Sequence, residues 1–213
     1  MRLHLVRHGR TPSNVTSALD TAYPGADLDD RGRAQAELLV ERFDGVPLEG
    51  LYASDLVRTQ QTIAPLAAAR GLDVGILGGL REIQAGEDEM SHDFGRYVGV
   101  LQRWVSGELT ARVPGGEDAI GFYERYDDAV AQIAAAGHEH ALLVTHGAAL
   151  RMWVGARAEG LSPDQAAKGV LGNTAHLVLD GEPGDWRFVS WDSGEDVPGP
   201  DGDPLEEQAR QRD

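Results

Sequence analysis

The stretch Leu5-Val6-Arg7-His8-Gly9-Arg10-Thr11-Pro12-Ser13-Asn14, residues 5–14, carries the strongest indication of how this chain folds. The apolar run at residues 3–6 stops abruptly at Arg7-His8-Gly9, a pattern that indicates a buried strand running into a loop. The pattern returns at residues 141–145, an apolar run followed at once by His146-Gly147. We therefore predict two buried strands that each end beside a histidine.

Helical patterns alternate with these strands along the chain. Asp29 and Asp30 are suited to cap a helix over residues 31–43, and Asp55 to cap a second helix that ends at Gly71. The other predicted elements are helices at 93–107, 118–136 and 148–158, and strands at 51–54, 72–77, 175–179 and 187–191. Strands that alternate with helices predict an α/β fold, here a three-layer α/β/α sandwich with a mostly parallel sheet.

Composition excludes several classes of protein. The 213 residues contain 35 Asp and Glu against 19 Lys and Arg, a formal charge of −16, and no cysteine. The missing thiols exclude disulfides, thiolate metal sites and a cysteine nucleophile. The acidic balance argues against nucleic-acid or anionic-membrane partners. With no apolar stretch of about 20 residues and no signal peptide, we expect a cytoplasmic protein.

The composition along the chain also predicts the domain organisation. We predict a single domain at residues 1–192, in which residues 84–116 form a cap insert. Residues 193–213 contain seven acidic residues, two arginines and several Gly and Pro residues, a composition typical of a flexible tail.

Three of the predicted strand ends carry residues suited to phosphate. The first strand ends in Arg7-His8, the second is followed within one helical turn by Arg58, and the fourth ends in His146-Gly147. Parallel strands bring these junctions to one edge of the sheet, where α/β proteins bind ligands. The helix that follows Gly147 could add its amide dipoles to the same pocket. Each residue alone is more often structural, but their joint occurrence predicts a cationic phosphate pocket.

The same residues resemble the histidine phosphatase superfamily, the phosphoglycerate-mutase-like group. Five segments match in the family's order and span residues 3–147. They are the opening stretch at 5–14, Gly32-Arg33-Ala34-Gln35-Ala36, Ser54-Asp55-Leu56-Val57-Arg58-Thr59, Leu80-Arg81-Glu82 and Val144-Thr145-His146-Gly147.

The resemblance implies a phosphoenzyme mechanism without a metal ion or other cofactor. His8 would be the nucleophile and form a phosphohistidine, and Glu82 would donate a proton to the leaving group. The implied ligands of the phosphoryl group are Arg7, Asn14, Arg58 and His146.

The match weakens after Glu82. Many relatives continue with a Gly-x-x-Glu-Gly pattern, of which we recognise only Gly86, and the acidic run Glu87-Asp88-Glu89 is poorly suited to an anionic substrate. Asn173 stands where some relatives have an asparagine near the site.

The sequence favours hydrolysis of a small phosphorylated metabolite as the function. The alternatives are a phosphoglycerate mutase and a weakly active, regulatory phosphate-binding protein. A mutase needs additional cations for a substrate carboxylate, yet the chain has one lysine, Lys168. A pure binding protein needs no proton donor at Glu82. The sequence leaves a homodimer open.

Overall fold

The computed structural model describes residues 1–194, in which strands and helices alternate. The predicted tail lies, from residue 195 onward, outside the described residues. The strands are β1 (Arg2–Arg7), β2 (Gly50–Ala53), β3 (Val74–Ile76), β4 (His140–Thr145), β5 (Ala158–Glu159), β6 (His176–Glu182) and β7 (Asp185–Asp192). The helices are α1 (Pro12–Val15), α2 (Asp30–Arg42), α3 (Val57–Arg70), α4 (Gly95–Val105), α5 (Ala119–Ala135), α6 (Gly147–Arg157) and α7 (Pro163–Lys168).

The seven strands form one sheet in the order β3-β2-β4-β1-β6-β7-β5. The half that contains β1, β4, β2 and β3 is parallel, whereas β6 runs antiparallel to both β1 and β7. The predicted α/β fold with a mostly parallel sheet is therefore confirmed. Because Arg7 is in register with Thr145, β1 and β4 end side by side.

Two hydrophobic cores cover the two faces of this sheet. Leu3 and Leu5 point into the core formed with α4, α5 and α6, while Val6 points into the core formed with α2 and α3. This alternation is the two-residue period of a strand, and it explains why β1 is apolar on both faces. Each fully buried leucine contributes about 2 kcal/mol by leaving water, and the two covered faces produce the predicted three layers.

One predicted helix cap is wrong. The N-cap of α3 is Leu56, which makes no side-chain capping bond. The Asp55 carboxylate instead accepts hydrogen bonds from Nε and Nη2 of the Arg81 guanidinium. A bidentate bond to a cation is stronger than a bond to a helix amide. The other end of α3 follows the prediction, because Gly71 ends it with φ = 63°.

Three short elements were absent from the sequence prediction: α1, β5 and α7. Each has six residues or fewer, too few to show a hydrophobic period. Within residues 1–194, no helix has the length and apolar character that crossing a bilayer requires.

Candidate active site

The predicted phosphate residues meet at one edge of the sheet. Arg7 is the last residue of β1 and His8 the next. Arg58 is the second residue of α3, which follows β2, and His146 follows β4 directly. The strand order β2-β4-β1 makes these three ends neighbours. All four side chains are buried, and His146 is 0% exposed.

A cavity of about 60 Å³ opens at this edge. Its walls include most of the residues predicted from the sequence, namely Arg7, His8, Asn14, Arg58, Glu82 and Gly147. His146 lies beside it, with its ring centroid 5.3 Å from that of His8. The cavity walls also include residues that the sequence analysis did not single out: Thr11, Ser13, Ala18, Leu19, Asp20, Thr21, Phe94, Tyr97 and Ala148.

The His8 ring is fixed by the loop that follows β1. Its Nδ1 lies 2.8 Å from the carbonyl oxygen of Gly9. Because a carbonyl only accepts, Nδ1 carries the proton in the neutral ring and Nε2 has the free lone pair. Position 9 requires glycine, since a Cβ there would lie 2.7 Å from the carbonyl oxygen of Gly32 at the start of α2. The glycines of the first two matched segments, Gly9 and Gly32, are therefore explained by the close approach of their two backbones.

Electrostatics keep the His8 ring neutral. Burial, together with the charges of Arg58 and Arg7, holds the pKa of His8 well below its ordinary value. A neutral imidazole with its lone pair toward a cavity is a competent nucleophile.

Arg58 and His146 contain buried side-chain nitrogens that make no hydrogen bond among the described residues. Arg58 Nη2 donates to the carbonyl oxygen of Asp20 at 2.8 Å. Arg58 Nε and Nη1, and His146 Nδ1, are buried and have no hydrogen-bond partner among the described residues. The other His146 nitrogen, Nε2, lies 2.7 Å from the hydroxyl oxygen of Ser54. Buried unpaired donors are costly and rare, and their concentration here indicates a site for an anion.

Asn14 and Arg7 complete this group. The Asn14 Oδ1 accepts from the Thr11 amide at 3.1 Å and from Asn173 Nδ2 at 3.2 Å, which leaves Asn14 Nδ2 as the donor for the cavity. Asn173 Nδ2 also lies 3.1 Å from the His8 carbonyl oxygen. Asn173 thus positions the His8 backbone and the Asn14 side chain by hydrogen bonds. Arg7 Nη1 donates to the Leu171 carbonyl at 2.6 Å, which orients its guanidinium.

Glu82 occupies the amino end of α6. Its Oε1 accepts from the amides of Ile83 at 2.8 Å and Ala149 at 2.7 Å, and its Oε2 accepts from Ala148 at 3.0 Å. The expected α6 dipole therefore reaches the cavity at Glu82, which lines it together with Gly147 and Ala148. Burial raises the pKa of Glu82, and the three amides offset part of this rise by stabilising the carboxylate.

The predicted cap insert contributes one wall of the cavity. Phe94 and Tyr97 line it from the start of α4, and the Tyr97 hydroxyl donates to the Ile83 carbonyl at 3.0 Å. The insert is held to the loop before α2 by Glu89, whose carboxylate accepts from the amides of Thr21 and Ala22 at 2.9 and 3.0 Å.

The divergent segment keeps more of the family pattern than expected. Glu89 follows Gly86 at the spacing of Gly-x-x-Glu-Gly, and Met90 stands in the second glycine position with φ = 59°. The glutamate of the pattern is therefore present as Glu89, and the second glycine is absent. The acidic run is partly paired, because Asp88 binds the guanidinium of Arg96. None of Glu87, Asp88 and Glu89 is among the described residues that line the cavity.

Fold and site together define an α/β protein with a cavity lined by two buried arginines beside a buried histidine. The model of the histidine phosphatase superfamily (branch 1) matches residues 3–194. The chain belongs to this superfamily, as its five motifs predicted.

Relatives and solved structures agree with this assignment. A probable phosphoglycerate mutase of Enterobacter sp. (strain 638) is 29% identical over 90% of both chains. A PE-PGRS family protein of Mycobacterium tuberculosis is 32% identical over 89% of this chain, which spans 36% of that protein's length. Among solved structures, mycobacterial glucosyl-3-phosphoglycerate phosphatase in complex with VO3 has a TM-score of 0.76 and 27% identity, covering 91% of this chain and 99% of the other.

Proposed function

We propose that this protein is a phosphomonoesterase that hydrolyses a small phosphorylated metabolite through a phosphohistidine on His8. The observation that carries the proposal is the pair of buried donors on the Arg58 guanidinium, Nε and Nη1, that make no hydrogen bond among the described residues, near the His8 and His146 rings. A dianionic phosphoryl group supplies the acceptors that these donors lack, and two arginines match its charge.

The first half of the reaction forms the phosphoenzyme. The Nε2 lone pair of His8 attacks phosphorus, and the bond from phosphorus to the alcohol oxygen breaks. Glu82 transfers its proton to that oxygen, so the alcohol leaves neutral. Arg7, Arg58 and His146 bind the equatorial oxygens and stabilise the charge of the transition state.

The second half regenerates the enzyme. Glu82, now a carboxylate held by the amides of Ala148 and Ala149, accepts a proton from water. The resulting hydroxide attacks phosphorus, the bond from phosphorus to Nε2 breaks, and inorganic phosphate forms. None of these steps needs a metal ion, since the cationic side chains already bear the phosphoryl charge.

Solved structures of phosphatases support hydrolysis, whereas relatives named probable phosphoglycerate mutases keep the mutase alternative open. The solved mycobacterial relative is a phosphatase by name, and another structure of that enzyme is a complex with inorganic phosphate at 25% identity. The cavity of about 60 Å³ opens at the sheet edge, so a phosphoryl group can lie inside while its alcohol extends outward.

Acid-labile phosphoenzyme and phosphate release test the proposal together. His8→Ala should abolish both, whereas His138→Ala, which replaces a histidine outside the cavity lining before β4, should keep wild-type activity. Wild-type activity should persist in EDTA. Turnover by the His8→Ala variant would overturn the scheme, and conversion of 3- to 2-phosphoglycerate faster than phosphate release would favour the mutase alternative.

A further inference from the structure

Asp20 is a carboxylate in the cavity wall that the proposed reaction does not use. Its Oδ2 accepts from the Ser13 hydroxyl at 2.8 Å and from the Ala26 amide at 3.0 Å. Its Oδ1 lies 3.5 Å from Arg58 Nη1, and its side chain is 10% exposed. Asp20 is therefore held beside Arg58 as the one aspartate among the described residues that line the cavity.

The cavity has little positive charge to offer a second anion. Among the described residues that line it, the arginines are Arg7 and Arg58, and the phosphoryl group engages both. The nearby arginines outside the lining have carboxylate partners of their own: Arg10 with Asp29, Arg81 with Asp55, Arg96 with Asp88 and Arg125 with Glu117. Among the described residues that line the cavity, no further arginine remains for a carboxylate once the phosphoryl group is bound.

The rest of the wall suits an uncharged alcohol. It includes Thr11, Ser13 and Thr21, whose hydroxyls donate to Asn14, Asp20 and Glu89 and keep their oxygens as acceptors, and the apolar side chains of Leu19 and Phe94. A substrate hydroxyl can donate to Asp20, and a hydrogen bond to a carboxylate is about twice as strong as a neutral one. A substrate carboxylate would instead meet a like charge at close range.

We infer that Asp20 is a specificity residue that selects phosphomonoesters of uncharged alcohols and rejects those whose alcohol carries a carboxylate. The inference rests on the proposed phosphatase activity. It separates this chain from enzymes that act on phosphoglycerate, because those must bind a carboxylate together with the phosphate.

A matched pair of substrates isolates the effect. Glycerol 3-phosphate and 3-phosphoglycerate differ in one group, a CH2OH in place of a carboxylate. For the wild-type protein, kcat/KM should be at least roughly tenfold higher for glycerol 3-phosphate, as expected for a single unfavourable charge contact in a partly buried site. Each compound should also be measured as a competitive inhibitor of nitrophenyl phosphate hydrolysis. If turnover is slow, the ratio of the two inhibition constants then replaces the ratio of kcat/KM.

Asp20→Asn tests the residue. Asparagine has the same size and retains an acceptor for Ser13 and Ala26, so the ratio should fall toward one through a gain on 3-phosphoglycerate. If Asp20 only positioned Arg58, both substrates would lose activity equally and the ratio would stay. Asp27→Asn, an exposed aspartate in the same loop, is the matched control and should leave the ratio unchanged.

The outcomes separate this inference from the proposed function. An unchanged ratio in Asp20→Asn, or a wild-type preference for 3-phosphoglycerate, would overturn the specificity role while leaving the phosphatase intact. If the folded wild-type protein released no phosphate from either compound or from nitrophenyl phosphate, the proposed function and this inference would both fall.

Discussion

In the proposed reaction, Glu82 must meet two opposing demands. A general acid must hold its proton near neutral pH, and burial raises the pKa of Glu82 toward that requirement. After the proton leaves, the carboxylate must be stable in a nearly dry site. The amides of Ile83, Ala148 and Ala149 are in place to bind it, so the proton transfer requires no rearrangement of the backbone.

Glu82→Gln should slow substrates with poor leaving groups far more than nitrophenyl phosphate. We expect a loss of about 10²- to 10⁴-fold on an alkyl phosphate, the usual contribution of general acid catalysis, and a much smaller loss on the nitrophenyl ester, whose alcohol leaves without a proton. Equal losses on both substrates would remove Glu82 from the acid role.

The pH profile gives a second measurement of the same role. The acid must be protonated, so kcat/KM on the alkyl phosphate should fall as the pH rises through the raised pKa of Glu82. This alkaline limb should vanish in the Glu82→Gln variant. A limb that persists unchanged there would belong to another group.

At the scale of the elements, three adjacent strands place a row of histidines on one face of the sheet. His4 on β1 lies between His176 on β6, at 3.0 Å, and His140 on β4, at 3.4 Å. Each bond joins an Nδ1 to an Nε2, so neutral rings can satisfy the whole row by donating in one direction. Burial is the largest cause that lowers the pKa of both His4 and His176 to about 4. Neighbouring charges contribute as well, with Arg2 and His140 acting on His4, and Arg42 and His4 acting on His176.

This row should make the fold sensitive to acid. The unfolded chain binds a proton at each histidine below about pH 6.5, whereas folded His4 and His176 resist protonation until about pH 4. The free energy of unfolding should therefore fall as the pH drops from 6.5 towards 4, by about 1 kcal/mol per histidine between pH 7 and 5.5. Urea denaturation at the two pH values measures the change.

A variant and its control assign the effect to the row. His8 and His146 are buried and resist protonation as well, so His176→Gln should remove about a quarter of the pH-dependent loss, while His138→Gln, outside the row, should leave it unchanged. A loss of the same size in the His176→Gln protein would show that other groups cause the acid sensitivity.

For the whole molecule, net charge and local charge have different consequences. The formal charge of −16 disfavours polyanions, whose many phosphates sample the entire surface. A small phosphoester inside the cavity is governed by Arg7 and Arg58, because charges farther away than about 8–10 Å are screened at physiological salt. An acidic protein can thus present a phosphate site.

Binding of inorganic phosphate should raise the melting temperature of the whole domain. At ten times its dissociation constant a ligand adds about 1.4 kcal/mol to the folded state, which corresponds to roughly 3–6 °C for a domain of this size. Arg58→Gln should lose the shift, and Arg103→Gln, an exposed arginine paired with Glu108, should retain it. Sodium chloride at the same ionic strength separates specific binding from a salt effect, and an equal shift in both variants would contradict the assignment.

Much of the fold and of the site was predictable because the signals are local. A buried strand is apolar on both faces whatever packs against it, so β1 and β4 are visible in residues 3–6 and 141–145. Parallel neighbours must end at one edge, which places His8, Arg58 and His146 together once the strand ends are known. The ordered motifs then indicate the family, and the family model confirms it over residues 3–194.

The partners of charged groups were not predictable, since they are far apart in the chain. Arg58 is held by Asp20, 38 residues away, and Glu82 by an amide 67 residues away. Asp55 is suited by its position to cap α3. In the folded chain its carboxylate accepts hydrogen bonds from Arg81 instead, because that bond to a cation is stronger. Local sequence decides the conformation and the buried face of each segment. Which of several competing partners a polar group takes depends on distances and desolvation that exist only after the segments have packed.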